Sequence, residues 1–565
     1  MDFKVQIVEI LYKQFNDLSR EEIISMIEIP PSPDMGDYAF PCFRLAKFLR
    51  KAPPIIAEEA VAVIERPDFL KEIKSVSGYI NFYIDKTKFA SAIVSNVLKS
   101  KEKYGTSNEG EGKNIVIDYS APNIAKPFHV GHLRSTVIGG SIYRIYKHLG
   151  YNCIGVNHLG DWGTQFGKLI VAYKKWGSKE AVEQGGIKEL MRIYVLFHEE
   201  AEKDPSLEDE ARSWFTKMER GDEEALALWN WFKDISLEEF KKVYKLLGFE
   251  FDSYAGESFY NDKMDAIIEE LDSKGLLKES DGAKIVDLED VNMPPCLITK
   301  RDGSTLYATR DITAAIYRKN TYDFEKCIYV TALAQNLHFA QWFEVIKKMG
   351  YDWHDKLVHV PFGLVSMETG KLSTRKGNVV LLEELLKEAI DKTNQIINEK
   401  NPDLEDKEAV AEQVGIGAVV FNDLSNNRIK DVVFSWDKVL NFDGETGPYV
   451  QYTHARACSV LRKANMDIEE SIDYNVLTDP SSIEVIRLIG QFPERIKEAA
   501  EKLEPSFIAR YIVDLAQAFN KFYHDNPILV EDEAVKKARL SLVYSVKTVL
   551  SSGLYLLGIK SPEKM

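Results

Sequence analysis

Cysteine is scarce in this chain and never closely spaced. Five residues among 565, Cys42, Cys153, Cys296, Cys327 and Cys458, form no CxxC pair. That argues against a disulfide framework and against a cysteine zinc site, and it fits a reducing compartment; a cytoplasmic protein without bound zinc is expected. No apolar run approaches the roughly 20 residues of a membrane helix, so no membrane partner is expected. The start, MDFKVQIVEILYKQ, lacks a basic leader and a small-residue cleavage site. Positive charge is in deficit, with 72 Lys and Arg against 88 Asp and Glu and a net charge of −16. A simple basic DNA-binding protein is thereby excluded, but RNA is not, because affinity follows local cationic patches. Two phosphate signatures are missing as well. GTQFGKL at 163–169 has neither the glycine spacing nor the hydroxyl residue of a P-loop, and no GxGxxG follows a strand.

What is present fills several domains, since the chain is too long for one core. Residues 1–110 read as a small α/β domain. Helical periodicity covers the first 28 or so residues, GDYAFPCFRLAKFL carries a helix with Lys47, and SGYINFYID alternates like a strand. Its aromatics Phe40, Phe43, Phe48, Tyr79 and Phe82 are expected in the core, with one or two free to stack on bases. Residues 111–380 repeat a strand–loop–helix grammar, which predicts a doubly wound parallel sheet. A charged helical insertion is expected at about 175–290. Residues 381–445 read as a connecting helical region and 446–565 as an all-α domain; from about 410 the chain is expected to be helical to its end.

The central stretch is NIVIDYSAPNIAKPFHVGHLRST, continuing to Gly150. Ile115–Ile117 are β-branched and apolar, as in a buried strand. After two prolines comes a helix with Val130, Leu133, Val137, Ile145 and Leu149 on one stripe. A helix start of this kind offers unpaired N–H groups and a positive dipole end to an anion. His129 and His132 fall there, three residues apart, and Gly131 between them leaves room for a ring or phosphate. Further on, Glu257, Tyr307, Asp311, Gln335 and His338 lie near predicted strand ends or the following loops, where an open parallel sheet holds its ligand. KLSTRKG at 371–377 reads by itself as a solvated loop. Aromatic and basic residues mix in the last 150, among them Arg428, Trp436, Tyr449, Tyr452, Arg456, Phe522 and Tyr523.

Taken together these residues resemble the class I aminoacyl-tRNA synthetases, and among them the arginyl-tRNA synthetases. His129-Val130-Gly131-His132 resembles the HIGH signature and Lys371–Arg375 a degenerate KMSKS loop. The more specific likeness lies in SAPNIAKPFHVGHLRST, NHLGDWGTQFG, LYATRD and GETGPYVQYTHARA, in this order. The resemblance covers nearly the whole chain. It implies a Rossmann-like catalytic domain with an insertion, an appended N-terminal domain that touches tRNA around Asp37 to Lys47, and a helical anticodon-binding domain. It implies arginine, ATP with magnesium, and tRNA-Arg as partners of a monomer, with activation that needs bound tRNA.

The resemblance also implies roles. His129, Gly131, His132, Lys371, Ser373 and Arg375 would face ATP. Asp118 and Asn123 would hold the amino acid's α-amino and carboxyl end. Tyr307, Asp311 and Glu257 would read the guanidinium, with Gln335 completing the pocket. Tyr449, Tyr452, Tyr523 and Met565 would lie at or near the anticodon and Arg456 at phosphate. Physical chemistry agrees in outline. Attack of a carboxylate on the α-phosphate needs positioned donors and cations more than a covalent nucleophile. A planar guanidinium calls for carboxylates in fork geometry. One departure stands out: Thr374 occupies the place of a KMSKS lysine. Lys126 is the first candidate to supply that charge, with Arg375 and Lys376 next. Two rival readings remain: a small-acid adenylating enzyme of the same superfamily, which would not need the terminal domains, and a non-catalytic paralogue, which would not need the intact HVGH pair.

Overall fold

A computed structural model describes residues 3–301, 303–367, 381–468 and 471–565. The chain forms two compact units. One combines Met1–Tyr104, Arg456–Phe492 and Asp514–Leu550; the other combines Gly105–Ala455, Pro493–Val513 and Ser551–Met565.

In the first unit, helices Phe3–Gln14 and Arg20–Met26 open the chain, the second started by a reciprocal Ser19–Glu22 cap. Strands β1 (Tyr38–Pro41), β2 (Leu70–Val76) and β3 (Tyr79–Ile84) form an antiparallel sheet in the order β1-β3-β2. Phe40 and Phe82 are fully buried on it, beside Ile7 and Leu11. Two of the five aromatics stay outside the core, within the one or two left free: Phe43 is half exposed, and Phe48 is 80% exposed. The four-residue helix Ala46–Leu49 is too short to turn Phe48 onto the core. Helix Lys86–Ser100 and the helix Pro480–Lys502 meet within this unit, where Ile93 packs on Gly490 and the Tyr104 hydroxyl donates to the Ile489 carbonyl.

The second unit holds the parallel sheet that the βα grammar predicts. Strand β4 (Asn114–Asp118) pairs with β5 (Asn152–Val156) on one side. Between β5 and the next strand of this sheet stand helices Thr164–Trp176, Lys179–Ala201, Ser206–Glu219 and Glu223–Leu247. They are followed by a small antiparallel sheet, β6 (Leu277–Ser280), β7 (Ala283–Val286) and β8 (Cys296–Thr299). The chain then returns through β9 (Lys326–Ala332) and β10 (Leu357–Phe362), giving the all-parallel order β10-β9-β4-β5. The chain steps from β4 to β5 on one side and then crosses back past β4 to β9 and β10 on the other. The crevice at the carboxyl ends of β4 and β9 is therefore a topological switch point.

Three expectations change. The insertion is not helical through 290: Asp281-Gly282, both with positive φ, make the tight turn between β6 and β7 that such a pair favours. Tyr307 and Asp311 lie on a helix, Tyr307–Tyr322, rather than at a strand end or in a loop, because Ala308, Ile312, Ala315 and Ile316 recur at helical spacing and bury one face. Nor is the chain helical throughout after 410. Val432–Phe434 forms β12, which pairs in parallel with β11 (Val365–Met367).

Candidate active site

The turn from β4 into helix Val130–His148 is held in an unusual backbone shape. Ser120, Ala121 and Ala125 all adopt positive φ, of 73°, 44° and 60°. Each such non-glycine residue costs on the order of 1–3 kcal/mol, so neighbours must fix it. They do. The Ser120 N–H donates to Ser135 Oγ, and Ser120 Oγ shares hydrogen bonds of 2.8 Å with Thr136 Oγ1 and Tyr244 Oη. The Ala125 N–H donates to the buried Ser236 Oγ. Ile124 donates to the Gly160 carbonyl, and Gly160 donates back to Pro122. The loop is clamped to the insertion helix and to the β5 loop at once.

The histidines sit at the end of this clamp. His129 is the N-cap, outside the helix, and its Nδ1 accepts from the Gly131 N–H at 3.0 Å. His132 Nδ1 accepts from the His129 N–H at 3.2 Å. The rings stack with centroids 3.9 Å apart, and Phe128 lies nearly parallel to His132. Two expectations are corrected. The first-turn N–H groups are not simply open to an anion, because the histidines cap two of them. The space left by Gly131 is taken by the His129 ring, whose Cε1 would lie 2.8 Å from an added Cβ. The chemistry moves outward to the rings. With Nδ1 accepting, a neutral ring carries its hydrogen on Nε2. Burial, with neighbouring charge against it, holds both rings below the usual imidazole range, His132 down to about 3. The helix thus ends in two neutral Nε2–H donors. Lys126 is exposed, three residues before His129, and its charge bears on both rings. Leu381 bridges to His129, and the Leu382 N–H donates to the Phe128 carbonyl.

The acids come from several elements. Asp118 closes β4, is buried, and binds Arg318 Nη2 at 2.8 Å. Arg318 is itself buried, over the Tyr329 ring. Glu257 starts a short 3-10 turn, with Arg310 Nη1 at 3.8 Å. Burial, reinforced by Asp311 and Asp161 and opposed by Arg310, raises its carboxyl to about 7. Tyr307 and Asp311 are one turn apart at the start of their helix, and Tyr307 is exposed. Asp311 Oδ2 accepts from His338 Nε2 at 2.5 Å. Gln335 stands at the N-cap position of helix Asn336–Lys348 without a side-chain capping bond, exposed and three residues before His338. Only Asp118 is at a strand end; Asp311 rides on a helix and Glu257 on a 3-10 turn.

Comparison with known proteins decides what this arrangement belongs to. The class I tRNA synthetase (R) catalytic domain matches residues 93–436, the DALR anticodon-binding domain residues 450–565, and the arginyl-tRNA synthetase N-terminal domain residues 2–84. An arginine–tRNA ligase of Alkaliphilus metalliredigens is 62% identical over 564 residues, covering 100% of both chains; one from Clostridioides difficile is 58% identical with the same coverage. The chain belongs to the class I arginyl-tRNA synthetase family. Among solved structures, the arginyl-tRNA synthetase of Thermus thermophilus aligns at TM-score 0.83 and 26% identity over 100% of each chain. That of Plasmodium falciparum aligns at 0.79 and 28%, over 100% of this chain and 98% of its own. The switch-point crevice lies within the residues matched by that class I catalytic domain.

Seen within this family, the remaining residues fall into three groups. Lys371, Ser373 and Arg375, with Thr374 and Lys376, lie outside the described residues. In the second unit, Tyr452 is 41% exposed, Tyr449 is half-buried, and Met565 is partly buried against Ile397 and Val410 while its carbonyl accepts from Asn401. In the first unit, Arg456 donates to Asn520 and lies 5.5 Å from the Tyr523 ring. Asp37 accepts from the Ile84 N–H, which gives it a structural job on the sheet. Sequence reading noted His338 but left it out of the site, and it missed Arg318 as Asp118's partner. Two signals were available: His338 shares a face with Gln335 at i+3, and Arg318 interrupts an apolar helix face. It also passed over Arg134, two residues after His132. Arg134 is buried, paired with Asp423, and donates to the Gly363 and Lys430 carbonyls beside β11 and β12.

Proposed function

We propose that the two ends of this crevice divide one reaction between them, the HVGH end serving ATP and the Asp311 end serving arginine. The reaction is that of the family: arginine and ATP give arginyl-adenylate and pyrophosphate, and the arginyl group passes to the terminal adenosine of tRNA-Arg, releasing AMP. In the first step the substrate carboxylate attacks the α-phosphorus while the bond to pyrophosphate breaks. His129 and His132 would donate Nε2–H to the nucleotide's phosphate oxygens, keeping that role across neutral pH because neither ring charges there. Lys126, with Lys371 and Arg375, would meet the charge that builds on the leaving group. Ser373 would join them over ATP, which would arrive as its magnesium complex.

At the other end, Asp311, Tyr307 and Glu257 would read the guanidinium with Gln335 beside them. Asn123 and Asp118 would hold the α-amino and carboxyl end, Asp118 kept in place by Arg318. Tyr449, Tyr452, Tyr523 and Met565 would meet anticodon bases and Arg456 phosphate. The exposed Phe48, next to Lys47 and Arg50, supports a stacking contact of the N-terminal domain with tRNA. A cytoplasmic monomer, with the domain boundaries given above, completes the proposal. The observation that carries it is the reciprocal Nδ1 capping, which leaves both Nε2–H donors at the switch point. ATP–pyrophosphate exchange with each amino acid, with and without total tRNA, tests it. Exchange confined to arginine with tRNA is expected; exchange without RNA favours a small-acid adenylating enzyme, and none at all a non-catalytic role.

A further inference from the structure

Each of the three acids already carries a partner from the chain itself, and the partners differ in kind. Asp118 is neutralised by the buried Arg318 at 2.8 Å, and Glu257 faces Arg310 at 3.8 Å with its carboxyl held near neutrality. Asp311, alone of the three, is met by an imidazole rather than by a guanidinium. The contact is short, 2.5 Å, and both side chains stay about a quarter exposed. It also joins the starts of two packed helices: Tyr307 and Asp311 open one, Gln335 and His338 the other. The His338 ring is set edge-on against Phe339, which belongs to the buried core.

We propose that His338 is a positioning residue for amino-acid selection, its Nε2–H fixing the Asp311 carboxylate so that it can take a charged guanidinium fork. The inference rests on Asp311 as the guanidinium reader. A carboxylate at a helix start is otherwise free to rotate, and a bidentate partner needs both oxygens in one plane. One hydrogen bond from the ring restrains the carboxylate's rotation while both side chains stay accessible to the substrate. His338 thereby makes the site discriminate a guanidinium from a urea of the same shape, rather than simply hold it.

The test is tRNA-dependent ATP–pyrophosphate exchange on the full-length protein, with arginine as substrate and citrulline, its neutral urea analogue, as competitor. His338→Leu is expected to raise the KM for arginine about tenfold, the worth of one hydrogen bond to a charged group, with the KM for ATP unchanged. Arginine's advantage over citrulline should fall by a similar factor. His338→Gln, whose Nε2 can reach the same oxygen, should recover most of both; His338→Asn, too short, should not. A leucine variant with unaltered arginine KM, a loss shared equally by ATP, or glutamine no better than leucine would each overturn the role. If the leucine variant fails to fold, the glutamine–asparagine contrast decides the same point. Asp311→Asn is run alongside. Should it leave arginine use intact, the pocket reading itself falls; should it lose arginine while His338→Leu does not, only His338 is removed.

Discussion

Around His129 the chain caps itself with two stacked rings, whereas around Asp311 it leaves a carboxylate about a quarter exposed. The HVGH turn holds three residues at positive φ, every one within a few residues of a buried hydroxyl or carbonyl that pins it, and it ends in two uncharged rings. The acid end has ordinary helix starts, an exposed tyrosine and glutamine, and carboxylates each compensated differently. Under the proposed division of the crevice, the difference follows from what each end would handle. A triphosphate brings its own charge and needs fixed donors whose protonation does not wander. A guanidinium brings a cation and needs an anion that has not been spent internally.

Five measurements bear on this contrast. The largest effect is on stability. Arg318→Met leaves Asp118 buried and unpaired, and urea unfolding should show a loss of about 3–5 kcal/mol; a loss near zero would mean that Asp118 is not held by this pair. Next, His132→Ala removes a donor and the cap on the His129 N–H, and the activation rate should fall about 10²- to 10³-fold, as for loss of a preorganised donor. A pure rise in the KM for ATP would instead make the rings binding groups. Third, Lys126→Ala should lower the activation rate by roughly tenfold or more, far more than it raises the KM for ATP, if it stabilises transition-state charge; an unchanged rate removes Lys126 from this role. Fourth, Asp311→Asn should cost more than about tenfold in arginine use with ATP binding nearly intact, as removal of one charge-assisted contact predicts.

The smallest effect is pH-dependent. Glu257 is raised from 4.5 to about 7 by burial, so it is largely protonated at acid pH. A bound guanidinium favours the ionised form, so the KM for arginine should fall as pH rises towards 7 and then level off; Glu257→Gln should flatten that slope. The stability linkage has the opposite sign. A carboxyl with a raised folded pKa binds more protons folded than unfolded, so its contribution is present below its ordinary range and lost as pH rises through about 7. His132, depressed to about 3, adds stability above the ordinary imidazole range that is lost as pH falls through 3.

Legibility follows how local the interactions are. The β4–helix stretch is one continuous run, so its strand, loop and helix stripe are readable from period alone, and Val130, Leu133, Val137, Ile145 and Leu149 are all buried as the stripe predicts. The hairpin at Asp281-Gly282 was equally local, and its turn signal was passed over in favour of the surrounding charge. Phe48 departs from the usual core placement of an aromatic residue because only a four-residue helix carries it. The pairings Asp118–Arg318, Asp311–His338 and Arg134–Asp423 span 200, 27 and 289 residues, and no spacing rule reaches across such gaps.

The catalytic class, the parallel α/β core and the place of the HVGH turn follow from the order of residues alone, because they depend on short-range periodicity and on motifs whose residues are neighbours in the chain. Folding in three dimensions settles which nitrogen of each histidine is taken up in capping, and which carboxylate meets a guanidinium and which an imidazole. Those outcomes depend on which partner burial brings within about 3 Å, where one hydrogen bond or ion pair sets the state of the group.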